Sequence, residues 1–326
     1  MTQSREDFTV AISTFNRSGL VGYAIDSVLQ QDTPVSEIIV VDDASTDNTA
    51  DLIRARYPNV RYLRQAVNSG PCAARNRALR EATNERVVML DDDDTLLPNA
   101  LSSITQQIKD GSEIEKYPVL MFGHSGGVIP CEFLILKMSD YVSGVVKGDF
   151  LPVIRRKLFL SSGFSYPEIR SAGEHLLWWK VAEKFGIPTW AQRVAQAHSD
   201  APIRLTSAQN QVRHACAYAE LQELTLAEFG SVLARDFPSY YLTKRLGAAT
   251  YRLLAGDRSA ARGHLREAWH RKASGSVCGL WALSFLPIRV VRGSFAFFRK
   301  VSRAQYLRTC REGDDRDSQR LSHMQH

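Results

Sequence analysis

Four short runs of apolar and β-branched residues recur through the first hundred positions, and a helix-length segment separates each from the next. Phe8–Ser13 (FTVAIS), Glu37–Val41 (EIIVV), Val60–Leu63 and Arg86–Leu90 read as strands. Gly19–Gln31, Thr49–Tyr57 (which Pro58 ends) and Pro71–Ala82 read as helices. Alternation of this kind predicts βαβ units, so the fold class is α/β, with a mainly parallel sheet flanked by helices. Helices cover both faces of such a sheet. The crevice beyond the carboxyl ends of its strands is then the place for a ligand.

Three polar clusters fall at those ends: STFNR after the first strand, DDASTDNT after the second and DDDD after the fourth. Any one of them suits a helix cap or a turn, since Asp, Ser and Thr favour both. Three at corresponding strand ends predict one shared crevice. The stretch VVMLDDDDTLLP is the most demanding, because it sets Asp91, Asp92, Asp93 and Asp94 directly after a run that reads as buried. Adjacent carboxylates in such a place repel one another unless a cation compensates. In an extended segment Asp91 and Asp93 point to one side. Two hard oxygen donors on one side suit Mg²⁺ or Mn²⁺ bound together with substrate phosphates. The competing reading is an acidic helix N-terminus, a role open to Asp94 and Thr95 ahead of Pro98.

VVMLDDDDTLLP also resembles the LD-x-DD form of the Asp-x-Asp motif of family 2 glycosyltransferases, which have the Rossmann-like GT-A fold. AISTFNR at 11–17, IIVVDDASTDNT at 38–49 and NSGPCAARNRAL at 68–79 are similar to further stretches of the family pattern and come in the family's order. The resemblance covers roughly residues 8 to 200. It implies a donor site for a nucleoside-diphosphate sugar of the UDP or GDP type. Thr14, with Asn16 and Arg17 in the same loop, and Asp43 match positions that contact base and ribose. Arg75 matches the basic residue beside the base or its phosphates. Asp91 and Asp92 match positions at the donor, and Asp93 with Asp91 matches the metal position, so Mn²⁺ or Mg²⁺ is the implied cofactor. The resemblance further implies inverting transfer to a glycan or lipid-linked acceptor in surface polysaccharide synthesis.

The acceptor base in this family comes from a Glu-Asp pair opening a helix. GEHLLWW resembles that pattern, with Glu174 at the Glu and His175 where Asp is usual. Neutral imidazole accepts a proton near neutral pH. His175 is therefore the candidate base and Glu174 its neighbour, against the alternative that His175 only packs or caps the helix. Trp178 and Trp179 fit a core as well as a sugar platform. His198 is a further candidate for a metal or diphosphate contact, Arg204 could reach a phosphate, and Arg155 and Arg156 either flank the acceptor or face solvent.

The chain of 326 residues is expected to divide into a catalytic domain (1–208), a helical C-terminal region (209–310) and a disordered tail (311–326). AATYRLLAGDRSAARGHLREAWHR reads as a helical hairpin turning at Gly256–Asp257. Net charge is +6, but Arg289 to Arg311 holds seven Lys or Arg and no acid, so the excess is local. Such a distribution gives no case for nucleic acid and favours a basic amphipathic segment on an anionic membrane surface. Five scattered cysteines form neither a disulfide framework nor a zinc pattern. With no apolar leader visible, the expected location is cytoplasmic, peripheral on the inner face of the cytoplasmic membrane. Two other functions compete: a non-catalytic nucleotide-sugar binder or membrane-associated assembly protein, and a nucleotidyltransferase. The latter needs a Gly-rich loop after the first strand, and STFNRSGL offers one Gly.

Overall fold

The computed structural model describes residues 7–111, 113–169, 173–197 and 208–297, and the chain divides into two units, 1–202 and 203–326. In the first unit β1 (Phe8–Thr14), α1 (Ser18–Leu29), β2 (Glu37–Asp42), α2 (Thr49–Arg56), β3 (Arg61–Arg64), α3 (Pro71–Glu81) and β4 (Arg86–Asp91) follow one another as the sequence predicts. Beyond them come β5 (Asp94–Leu96), α4 (Ala100–Asp110), β6 (Val119–Gly123), β7 (Phe133–Leu136) and α5 (Met138–Ser143). The unit continues with β8 (Phe150–Arg155), α6 (Arg156–Ser161), α7 (Glu174–Lys184), β9 (Ile187–Arg193) and β10 (Ala195–Ala197).

Eight strands form one sheet in the order β3-β2-β1-β4-β8-β6-β9-β7, and β5 and β10 pair in a second, two-stranded one. β1 runs parallel to β2 and β4, and β2 parallel to β3. β8 is antiparallel to both β4 and β6, β9 is parallel to β6, and β7 is antiparallel to β9. The sheet is thus mainly parallel, with β7 and β8 reversed. Side chains alternate across it, as a strand period of two requires. Val10, Ile12, Val40, Val88 and Leu90 pack with Val21, Ile25, Leu101 and Ile104 of α1 and α4 on one face. Ala11, Ile39, Val41, Val87 and Met89 pack with Ala74, Ala78, Leu79, Leu177 and Val181 of α3 and α7 on the other. Each fully buried aliphatic side chain there contributes about 1.5–3 kcal/mol. The two apolar layers therefore fix which edge of the sheet stays open for polar chemistry.

That topology corrects the acceptor-side option for Arg155 and Arg156. β8 is antiparallel to β4, and Arg155 pairs in register with Arg86 at the start of β4. Its guanidinium Nε lies 3.1 Å from Glu115 and 3.5 Å from Glu85. Both arginines belong to the end of the sheet opposite Asp91, where Arg155 is ion-paired and Arg156 Nε donates to the Asn84 carbonyl at 3.3 Å.

The second unit is helical: α8 (Ala208–Arg213), α9 (Ala215–Asp236), α10 (Pro238–Ala255), α11 (Arg258–Arg271), α12 (Gly275–Leu283) and a last helical stretch over 288–297. The α10–α11 hairpin turns at Gly256 and Asp257, as the sequence predicts. Gly256 has φ 91°, a left-handed conformation that glycine adopts without a Cβ penalty. Asp257 caps α11 by accepting from the Ala260 N–H at 3.0 Å. Inside the unit, Glu223 accepts from Arg252 at 2.8 and 2.6 Å and faces His264 Nε2 at 3.0 Å. Among the described residues no helix is long and apolar enough to cross a membrane.

Candidate active site

Parallel register brings the polar strand ends level. Thr14 is paired with Asp42 across β1 and β2, and Ser13 with Asp91 across β1 and β4. The loops that follow are bound to one another. Asn16, at φ 52°, accepts through Oδ1 from the Thr46 N–H at 2.6 Å. Its own N–H donates to Ser45 Oγ at 2.9 Å. The Ser18 N–H donates to Asp47 at 3.1 Å. Asn16, expected at the donor, thus fastens the first loop to the second. Ala44 has φ 64°. A non-glycine residue held there stores strain of about 1–3 kcal/mol, which persists only where the surroundings impose it. The flanking bonds do so: the Asp43 N–H donates to the Thr14 carbonyl at 2.9 Å, and the Ser45 N–H donates to Asp42 at 2.7 Å.

Asp43 is buried, and its carboxylate accepts from Gln65 Nε2 at 2.6 Å and from the Ser69 and Gly70 N–H groups at 2.8 and 2.7 Å. It therefore draws the loop before α3 onto the end of β2. Gly70 has φ 93°, and Pro71 opens the helix behind it. Replacing Asp43 by Ala orphans three donors, two of them main-chain. A loss of about 3 kcal/mol in unfolding free energy is expected by urea denaturation, together with weaker donor binding. A loss under about 1 kcal/mol would show that the carboxylate does not hold this loop.

The four consecutive aspartates do not lie in an extended run. Asp91 ends β4, Asp92 and Asp93 make a turn, and Asp94 starts β5. The expectation that Asp91 and Asp93 share a side because the chain is extended fails here, because β5 turns away to pair with β10. The chain also supplies its own cations. Arg17 Nη1 lies 2.7 Å from Asp92 and 3.0 Å from Asp93. Arg75 bonds Asp91 with one amino group and Glu174 with the other. His124 Nε2 is 3.0 Å from Asp94. Burial pushes the Asp92 carboxyl up to about 6, although Arg17 and the neighbouring Thr14 hydroxyl oppose it. Desolvation also pushes Asp91 up, but Arg75 together with Arg17 and His124 holds that carboxyl below its ordinary value.

Arg75 is the centre of the arrangement. It sits on α3, only 8% exposed, with its guanidinium 5.6 Å from the centroid of the buried Tyr166 ring. Asn76 fixes Tyr166 by donating to its carbonyl at 2.9 Å and accepting from its N–H at 2.8 Å. Trp178 meets the same ring edge-on at 5.6 Å. Glu174 is the first residue of α7, entered through Gly173 at φ 142°. Burial raises its carboxyl above the ordinary value against the pull of Arg75. His175 is partly buried, and its ring meets Trp179 edge-on at 5.4 Å. Trp178 and Trp179 are buried, so both belong to the core, the alternative the sequence left open.

Thr14, Arg17, Asp43, Arg75, Asp91, Asp92, Asp93 and Glu174 all lie at this edge of the sheet. His198 and Arg204 lie outside the described residues. Sequence reasoning missed His124, Tyr166 and Asn76. His124 follows β6, whose carboxyl end reaches the same edge because β6 runs in the direction of β4, a direction that the sheet topology sets.

Among the described residues no group of three His, Cys, Asp or Glu is spaced to hold a metal by itself. The donor chemistry nevertheless fits Mn²⁺ or Mg²⁺. Asp92 and Asp93 both turn an oxygen to one cationic nitrogen, and the Asp91 side chain is 45% exposed. Such ions take one or two carboxylates and complete their shell with phosphates and water.

Comparison with known proteins gives this edge its context. The model of the family described as glycosyl transferase family 2 matches residues 9–125, which contain β1 to β6 and their strand-end loops. A GalNAc(5)-diNAcBac-PP-undecaprenol beta-1,3-glucosyltransferase from Campylobacter jejuni is 28% identical over 87% of this chain and 94% of its own length. The putative colanic acid biosynthesis glycosyl transferase WcaA of Escherichia coli is 40% identical over 29% of this chain and 35% of its own. In fold, the chain is similar to S. aureus TarS 1-349 in complex with UDP-GlcNAc, with a TM-score of 0.53 at 18% identity, over 81% of this chain and 90% of that one. It is also similar to the mannosyltransferase PcManGT from Pyrobaculum calidifontis in complex with GDP-Man and Mn²⁺. The TM-score is 0.51 at 19% identity, over 90% of this chain and 85% of that one. The strand-end loops that the sheet brings level after β1, β2 and β4 lie within the stretch 9–125 that matches the family 2 glycosyltransferase model, and the fold of the chain is that of the GT-A glycosyltransferases.

Proposed function

We propose that this enzyme transfers a sugar from a UDP- or GDP-type donor to a hydroxyl of a glycan or lipid-linked acceptor, with inversion, in the assembly of a bacterial surface glycan. The observation that carries the reading is the Asp91–Arg75–Glu174 chain, which ties the acidic strand end to a carboxylate of raised pKa on a separate helix. The Campylobacter relative, named for a polyprenyl-diphosphate acceptor, supports the acceptor class.

Glu174 is the proposed base. A carboxylate whose pKa is raised by burial is a stronger proton acceptor than an ordinary one. It takes the proton of the acceptor hydroxyl as that oxygen bonds to the anomeric carbon. The bond from that carbon to the donor diphosphate breaks on the opposite face, so one displacement inverts the centre. Arg75 holds Glu174 and Asp91 in fixed relation, which spares reorganisation when the charge shifts. His175, expected from the sequence as base, packs on Trp179 beside it and is the competing candidate. Asp93, with Asp91 and the adjoining Asp92, would hold Mn²⁺ or Mg²⁺, and His198 remains the further candidate named from sequence. When bound, such an ion neutralises charge on the leaving diphosphate as a Lewis acid. Asp43 and Thr14 bound the base and ribose end of the crevice.

The test is turnover of a panel of UDP- and GDP-sugars with Mn²⁺, followed by nucleotide release with and without a polyprenyl-diphosphate glycan. At least one donor should turn over, faster with acceptor present. Binding without turnover across the panel would favour the non-catalytic reading.

A further inference from the structure

We propose that the helical stretch 288–297 and the turn before it dock this protein on an anionic bilayer surface. The inference extends the proposed function, since a lipid-linked acceptor lies in such a surface, but it rests on a separate set of residues. The stretch has two apolar faces. Val291, 6% exposed, and the partly buried Phe295 pack on Leu253, Leu254 and Ala261, which is what the fold requires of it. Val290 and Phe297 are 45% and 64% exposed. Seven residues apart, they share a second face about two turns apart. Phe285 and Leu286, 61% and 40% exposed, bring further apolar surface at the turn. One large exposed apolar side chain is ordinary, whereas four within thirteen positions mark an interaction surface.

The charge around them selects the partner. Arg262 stands 4.3 Å over the Phe285 ring, and Arg258 bonds the Leu286 carbonyl at 2.8 Å. Arg289 and Arg292 are exposed on the stretch itself. From Ala268 to Arg311 the chain carries nine Lys or Arg and no Asp or Glu. Along 268–311 cations are interleaved with apolar residues and no acid intervenes, a pattern that matches a surface anionic outside and apolar beneath. A protein partner rarely offers both over such a length. Among the described residues no helix is long and apolar enough to cross a membrane, and the proposed contact is one of lying on the surface.

Flotation of the full chain with vesicles tests this. Binding should be strong on phosphatidylglycerol-rich vesicles, at least tenfold weaker on pure phosphatidylcholine and weakened by salt, since each cation near the surface contributes about fivefold. Val290→Ser with Phe297→Ser should lower partitioning about tenfold or more. Arg289→Glu, a change at an exposed position that leaves the packed face intact, should do so by about tenfold. Circular dichroism and melting temperature should match the parent for both. Donor turnover on a water-soluble acceptor should also be unchanged, which separates failure here from failure of the transferase reading. Equal binding to both vesicle types, or none, overturns the proposal. So does a dimer in light scattering that the Val290/Phe297 variant dissolves while vesicles are ignored.

Discussion

Glu174→Gln lowers the rate of sugar transfer by about a thousandfold at neutral pH and leaves donor binding nearly unchanged. The size follows from what a positioned general base contributes, about 10²–10⁴-fold. Gln keeps the shape of Glu174 and an oxygen for Arg75, so the Arg75–Asp91 pair survives and the fold is not disturbed. The pH profile separates a base from a structural group. Burial raises the Glu174 carboxyl above its ordinary value, and Arg75 only partly opposes this. A base works when ionised. The parent rate should therefore fall as pH drops through that raised pKa, at a higher pH than an ordinary Glu near about 4.3 would give. The Gln variant should lack this acid limb. If instead Glu174→Gln retains activity and His175→Ala abolishes it, the base is His175, as the sequence first suggested.

Asp93→Ala removes activity to a similar degree, about a thousandfold in kcat/KM, while costing less than about 1 kcal/mol of stability. The asymmetry is the point of the prediction. Asp93 is 25% exposed, and Arg17 keeps Asp92 at 2.7 Å when Asp93 is gone, so no buried charge is orphaned. What is lost is one of the two carboxylates paired with Arg17, the one proposed above to hold the divalent ion, so the loss bears on diphosphate binding and leaving-group stabilisation rather than on folding. Steady-state kinetics beside a urea melt decides it. A large stability loss, or near-normal kinetics with Mn²⁺, would place Asp93 in the scaffold and not at the donor.

The parallel half of the sheet was legible because its information is local. β1, β2 and β4 are β-branched runs closed by a polar end, and register sets Ser13, Thr14, Asp42 and Asp91 level. From these residues alone the strand ends that the sheet brings level could be named. Along 111–170 the sequence offers only Val119–Phe122 and Phe133–Leu136 as strands, and the rest was not legible, because β8 contains Pro152 and pairs antiparallel between β4 and β6. Its partners are remote in sequence, and short runs there carry no period that separates strand from helix. The acidic run was misjudged for the same reason. Its turn follows from Asp94 pairing with Ala197, a contact that no local pattern encodes. Nor could the sequence show that Arg17, Arg75 and His124 compensate those four carboxylates, since ion pairing across loops is set by topology. Asp43 shows the reverse case. Its placement was readable, but its three bonds to Gln65, Ser69 and Gly70 reveal a loop-holding role beside the expected ribose contact.

The account turns on whether the acidic turn after β4 takes up a divalent ion together with the donor. Titration calorimetry of Mn²⁺ in the presence of UDP or GDP addresses this directly. For the parent chain, one ion per protein with the matching nucleotide is expected, and at least tenfold weaker uptake for Asp93→Ala. No ion uptake with either nucleotide, or uptake that Asp93→Ala leaves unchanged, contradicts it.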